Sequence, residues 1–213
     1  MVEDQYGKFH CIKVEESMTD TKHQLEKDGI EFIPNLFDEN EIKAILSECD
    51  SLFSKSTISG PIYSVFINQN LKEIPHPIAT IKSVNLLEKV ETVFLYLEKK
   101  ANFRDLNLKL AHFALYSESD NHQPLRWHSD TRSGNLVRVQ ICLRGGNTDL
   151  SGAFKYVVGS HKFKDIQANP PDSGILQFQE LIIKNNFPNG TATLINTLGY
   201  HAKSPCINER ISI

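Results

Sequence analysis

Apolar spacing changes period once along this chain, near residue 106, and that change restricts its folds more than any composition figure. Before it, the pattern is helical. Asp38 followed by Glu41 matches a capping box, and Ile42, Ile45, Leu46, Cys49, Leu52 and Phe53 then recur as one stripe. Val84, Leu87, Val90, Phe94 and Leu97 form a second stripe, ending at Lys99-Lys100 where a helix carries its negative pole. Asp20 is placed to cap a short helix through Lys27 that Gly29 ends, and Ile30–Pro34 and Ile62–Ile67 read as strands. Pro75-His76-Pro77 continues no regular element.

Beyond the change the residues alternate. Leu108, Leu110, His112, Ala114 and Tyr116 alternate with Lys109, Ala111, Phe113 and Leu115. Val137, Val139, Ile141 and Leu143 alternate with Arg138, Gln140 and Cys142, and Thr191–Asn196 is a third such run. Period-2 runs separated by turn residues predict a sandwich or barrel. Helices first and strands afterwards, with no βαβ alternation, predict an α+β, mainly β domain rather than a parallel doubly wound sheet. At 213 residues the chain is expected to be one domain. Residues 1–105 would be mainly helical support and substrate entrance, and 106–213 the β core.

Composition excludes several function classes. A formal charge of −3 argues against a broad nucleic-acid surface, which needs a basic face. No apolar run is long enough to span a bilayer, and the first residues lack the basic-then-apolar order of a secretory leader. Cys11, Cys49, Cys142 and Cys206 are scattered, without a CxxC pair, which suits a reducing compartment. The expectation is a cytoplasmic protein acting on a small molecule, with neither a nucleic-acid nor a membrane partner.

The chemistry concentrates at His128-Ser129-Asp130, at His201 and at Arg210. His128 and Asp130 lie two apart, so on a strand both side chains point to one face. His201 follows 71 positions after Asp130 (201 − 130), enough chain for intervening strands to return it alongside. Two imidazoles and one carboxylate can cap one face of an octahedral Fe(II), leaving the opposite face for a co-substrate and O2. Arg210, nine positions after His201 (210 − 201), offers the planar fork that pairs with a carboxylate.

Between the ligand segments runs Ser151-Gly152-Ala153-Phe154-Lys155-Tyr156-Val157-Val158-Gly159-Ser160-His161-Lys162. This stretch resembles the small-Gly-Ala/Pro…Pro-Gly-Ser-His-Lys/Arg signature of the phytanoyl-CoA dioxygenase family. Asp28–Phe37 resembles that family's opening segment, and Trp127-His128-Ser129-Asp130 its WHxD ligand stretch, a form shared with ectoine hydroxylases. Gly190–Asn196 through His201 is similar to the strand leading to its distal histidine. Val158 stands where the family usually has proline, and Thr191 where it usually has aspartate. The chain stops three residues past Arg210 (213 − 210), so either the last strand is minimal or the chain is truncated there.

The resemblance implies a double-stranded β-helix (a jelly-roll or cupin-like barrel) with N-terminal helices packed on one sheet. It implies an oxidoreductase using Fe(II), 2-oxoglutarate and O2 to hydroxylate a small metabolite, releasing succinate and CO2. His128, Asp130 and His201 would be the metal ligands and catalytic centre, and Arg210 the contact for the distal carboxylate of 2-oxoglutarate. Related halogenases replace the ligand carboxylate with a small residue, so Asp130 favours oxygen transfer. Gln140 and Tyr116 are further co-substrate candidates, and Arg138 and His112 substrate candidates. His161 is expected to hold its turn through hydrogen bonds. The alternatives are a cupin-like metal protein without oxygenase turnover, such as an isomerase or sensor, and a catalytically silent member of the fold.

Overall fold

The computed structural model describes residues 24–55, 71–75, 80–99, 114–118, 126–130, 137–164 and 166–213. Two antiparallel sheets face each other, with helices on the outer side of the larger. Helix α1 (Gln24–Asp28) leads into β1 (Ile30–Ile33), and α2 (Glu39–Lys55), β2 (Leu71–Pro75) and α3 (Leu86–Lys99) follow. Next come β3 (Ala114–Glu118), β4 (Val137–Arg144), β5 (Phe154–Val157), the short helix α4 (Asp172–Leu176) and β6 (Ile182–Lys184). The chain closes with β7 (Ala192–Asn196), β8 (His201–Lys203) and β9 (Arg210–Ser212).

The expected capping box is formed. The Asp38 carboxylate accepts from the Glu41 N–H at 2.9 Å, and the Glu41 carboxylate accepts from the Asp38 N–H at 2.9 Å. Glu41 also pairs with Lys89 at 2.7 Å, so one residue both caps α2 and ties it to α3. Glu48, further along α2, accepts from the Lys82 and Ser83 N–H groups ahead of α3.

The larger sheet has the order β1-β7-β4-β9-β3-β2, and the smaller β6-β5-β8. Alternation sorts β1, β4, β7 and β9 of the larger sheet into two faces. Ile141 and Leu143 of β4, Ala192 and Leu194 of β7 and Ile211 of β9 pack outward against Ile45, Cys49, Val93 and Leu97 of the helices. Ile30 of β1 and Ile195 of β7 point the other way, against Phe154, Tyr156 and Val158 of the smaller sheet. A third cluster of Val157, Ile175 and Tyr200 closes the far side of that sheet. Arg138, Gln140 and Cys142 alternate with the outward residues of β4, so this polar face belongs to the space between the sheets.

Several expectations need correction. The expected helix from Asp20 is Gln24–Asp28 over the described residues, and Asp20 itself lies outside them. Gly29 ends the helix as expected, with φ of 79° and its N–H on the Leu25 carbonyl. The proposed strand at Ile62–Ile67 lies outside the described residues, and the alternation from Leu108 is described as a strand only over Ala114–Glu118. Strand β9, the final strand expected around Arg210, spans three residues and sits in the middle of the larger sheet, between β4 and β3. Val158, in place of the family's proline, donates its N–H to the Leu181 carbonyl, a bond proline cannot make. His161 behaves as expected, its Nε2 lying 2.9 Å from the Glu26 carbonyl oxygen. Among the described residues no helix is long and apolar enough to cross a membrane.

Two outcomes follow. Asp38→Ala removes one side of the capping box and should cost about 1 kcal/mol of stability in urea unfolding. Cys49, fully buried, has its thiol pushed up to about 12 by burial, and should resist alkylation at pH 8 until the chain is unfolded, as peptide mass mapping would show.

Candidate metal centre

His128 and His201 face each other across a single antiparallel bridge. The His128 N–H donates to the His201 carbonyl at 3.0 Å, and the His201 N–H to the His128 carbonyl at 2.9 Å. The expected ligand strand is therefore an extended segment with one bridge rather than a ladder. Its other backbone groups go to different partners: the Ser129 N–H to Ala168 and the Asp130 N–H to Thr197. Side-chain alternation survives regardless. Ser129 is buried with its hydroxyl on the Leu198 carbonyl, while His128 and Asp130 turn toward His201.

One candidate ligand atom from each of His128, Asp130 and His201 lies within 4.8 Å of the others. Asp130 Oδ1 is 3.6 Å from both His128 Nε2 and His201 Nε2. Each imidazole has its other nitrogen against a carbonyl two residues upstream: His128 Nδ1 is 2.8 Å from Arg126 O, and His201 Nδ1 is 2.9 Å from Gly199 O. A carbonyl only accepts, so each Nδ1 carries the proton and each Nε2 presents a lone pair. His201 Nε2 is buried and has no hydrogen-bond partner. Burial pushes the pKa of the His201 ring below that of an ordinary imidazole, so the ring stays neutral near pH 7.

This donor set fits a divalent cation. Both histidines are in the tautomer a metal needs, and the orphaned nitrogen faces the carboxylate rather than an apolar wall. Cis ligands at bond lengths near 2.1 Å lie about 3 Å apart, so small side-chain rotations suffice to close the triad.

Arg210 occupies the same space between the sheets. It is 3% exposed, with Nη1 donating to the Gly152 carbonyl at 2.8 Å and Nη2 3.4 Å from the Ser212 hydroxyl. Gly152, part of the signature stretch, has φ of 75°, and a Cβ there would sit 3.3 Å from both Arg210 Nη1 and Cys206 Cβ. The glycine lets backbone approach the guanidinium closely enough to orient it.

The remaining sequence candidates are less closely grouped. Arg138 Nη2 is 3.3 Å from Asp130 Oδ2, beside the triad, with its side chain 58% exposed. Gln140 is half-buried on the inward face of β4, opposite Thr193 of β7. Tyr116 lies on β3 opposite Ser212 in backbone register, and His112 is outside the described residues. Sequence inspection overlooked Lys203 and Ser212. Both sit two residues from a candidate functional residue, on the same face of a strand, and that spacing was the available signal.

No protein-family model matches the chain, and no curated protein matches it either. Solved structures do. The non-haem α-ketoglutarate-dependent epimerase SnoN from nogalamycin biosynthesis superposes with a TM-score of 0.62 at 14% identity, covering 90% of this chain and 77% of SnoN. HygX from Streptomyces hygroscopicus, solved with nickel and 2-oxoglutarate, gives 0.61 at 15% identity, covering 91% of this chain and 84% of HygX. EctD from S. alaskensis, solved with 2-oxoglutarate and 5-hydroxyectoine, gives 0.57 at 13%, covering 90% of this chain and 72% of EctD. At these identities the likeness establishes a shared fold. HygX has also been solved with iron, and with hygromycin B, and SnoN with Fe3+, α-ketoglutarate and nogalamycin RO.

His201→Ala deletes the buried donor and leaves His128 and Asp130 in place. Calorimetric titration with Ni(II) should show affinity falling at least ~100-fold, as expected for the loss of one of three protein ligands.

Proposed function

We propose that this chain is an Fe(II)- and 2-oxoglutarate-dependent oxygenase on a double-stranded β-helix, hydroxylating a C–H bond of a small molecule. The observation that carries the proposal is the buried His201 Nε2, without a hydrogen-bond partner and 3.6 Å from Asp130 Oδ1. His128 completes the triad, and Arg210 is buried in the same inter-sheet space. A protein without metal gains nothing from leaving such an atom unsatisfied, since burial of an unpaired acceptor costs about 1–3 kcal/mol. The shared fold with SnoN, HygX and EctD supports the same reading.

His128, Asp130 and His201 would hold the iron, and the co-substrate would lie between it and the Arg210 fork. When bound, iron and the 2-oxo acid supply O2-dependent oxidation of a C–H bond, with release of succinate and CO2. The chain's own work is positional. The carbonyls of Arg126 and Gly199 hold the two imidazole tautomers, and the Gly152 carbonyl aims Arg210. Phe154 stacks near His201, with ring centroids 5.7 Å apart, and forms an apolar wall that limits water. Arg138, beside Asp130 and half-exposed, suits a rim that meets an anionic part of the substrate. Gln140 and Tyr116 are proposed as further contacts for the co-substrate, and His112 as a further contact for the substrate. Asp130 would be the carboxylate ligand that related halogenases replace with a small residue, which favours oxygen transfer over halogenation.

Two measurements test this. Anaerobic Fe(II) with 2-oxoglutarate should give the weak visible charge-transfer band of a chelated 2-oxo acid, and His128→Ala should abolish it. No band from the parent protein contradicts the proposal. Because SnoN is an epimerase on this fold, product mass separates two outcomes: hydroxylation adds one oxygen atom and epimerisation adds none.

A further inference from the structure

Ser160, in the Gly159-Ser160-His161-Lys162 turn, is fully buried, and Gly159 ahead of it takes φ of 76°, a conformation that suits glycine. The Ser160 hydroxyl donates to the Val157 carbonyl at 2.6 Å and accepts the Tyr200 N–H at 2.7 Å. Val157 ends β5, and Tyr200 immediately precedes β8.

The register of these strands gives the hydroxyl its meaning. β5 and β8 pair Phe154 with Lys203, Lys155 with Ala202 and Tyr156 with His201, so the next pair in order is Val157 with Tyr200. A hydrogen-bonded pair in an antiparallel ladder exchanges two direct N–H···O bonds. Here one is direct, from the Val157 N–H to the Tyr200 carbonyl at 2.9 Å. The return bond runs through Ser160 Oγ, which is inserted into the ladder one residue before His201.

That insertion acts on a single peptide unit. The Tyr200 N–H and the Gly199 carbonyl belong to the same planar trans peptide and point in opposite directions. Ser160 holds the N–H end, and the carbonyl end accepts from His201 Nδ1 at 2.9 Å. Gly199 leaves this peptide no slack: a Cβ there would overlap the Tyr156 hydroxyl and lie 2.8 Å from Ser160 Oγ.

We propose that Ser160 is a positioning residue for the metal centre. Its hydroxyl fixes the 199–200 peptide so that the Gly199 carbonyl keeps the His201 proton on Nδ1 and leaves Nε2 to the metal. Without the bridge the ladder closes directly, and the carbonyl tilts away from the ring. Asp130 Oδ1, 3.6 Å from Nε2, then becomes the better acceptor, and the proton moves to the atom that should bind metal. The inference rests on the metal reading of the triad.

The test uses the full chain and two readouts. The tautomer of His201 is read without metal from long-range proton–nitrogen NMR correlations, and Ni(II) binding is read by calorimetry. The parent should carry its proton on Nδ1. Ser160→Ala and Ser160→Cys should each show a shifted or mixed tautomer and a Ni(II) Kd raised roughly ten- to hundredfold, as loss of an outer support of a ligand does. Ser160→Thr keeps the hydroxyl and should keep the parent tautomer, with a Kd within about threefold. Asp38→Ala, destabilised far from the site, should move neither readout, which separates positioning from general loss of stability. The parent tautomer and Kd in a folded Ser160→Ala or Ser160→Cys overturn the inference. A parent chain that binds no Ni(II) overturns the metal reading, and the tautomer comparison still decides whether Ser160 sets the ring.

Discussion

Two reciprocal backbone hydrogen bonds between His128 and His201 are the constraint on which the site depends. They join segments 73 residues apart (201 − 128) and set two imidazoles on one side of the bridge, with ring centroids 4.2 Å apart. The symmetry continues into the side chains, because each ring gives its Nδ1 proton to a carbonyl two residues upstream. Net, each backbone bond contributes only about 1 kcal/mol. Their larger effect is geometric: they convert sequence-distant histidines into a pair of lone pairs that Asp130 completes.

The rest of the molecule positions this bridge. The smaller sheet carries His201 on β8, and its partner β5 supplies Phe154 and Tyr156, which pack behind the imidazole. The larger sheet supplies Arg210 from β9, a strand held between β4 and β3. Helices α2 and α3 bury the outer face of that sheet, so the few inward polar residues are the ones left to line the space between sheets. The Leu150-Ser151-Gly152 segment joins the halves: Gly152 donates its N–H to the Pro205 carbonyl, the Leu150 carbonyl accepts from the Ile207 N–H, and the Gly152 carbonyl sits on the guanidinium.

Legibility from sequence followed the range of the interactions involved. The α2 cap, set by Asp38 and Glu41 three residues apart, was readable because capping is local. The inward polar face of β4 was readable as alternation, but which face looked inward required the facing sheet. The triad was legible as a set through its company, the Gly152–Lys162 stretch and Arg210, whereas the HxD segment as a regular strand was not. Its N–H groups are shared among Ala168, Thr197 and His201, and such long-range pairing leaves no local pattern. Three-residue strands such as β8 and β9 are too short to show a period, which is why Lys203 and Ser212 escaped notice.

The central claim is that His128, Asp130 and His201 converge on one divalent metal. X-ray absorption on the Fe(II)-loaded chain measures this directly. The account predicts a six-coordinate shell of nitrogen and oxygen donors with the multiple-scattering pattern of two imidazoles. A shell containing sulfur, or one with fewer than two imidazoles, would contradict it.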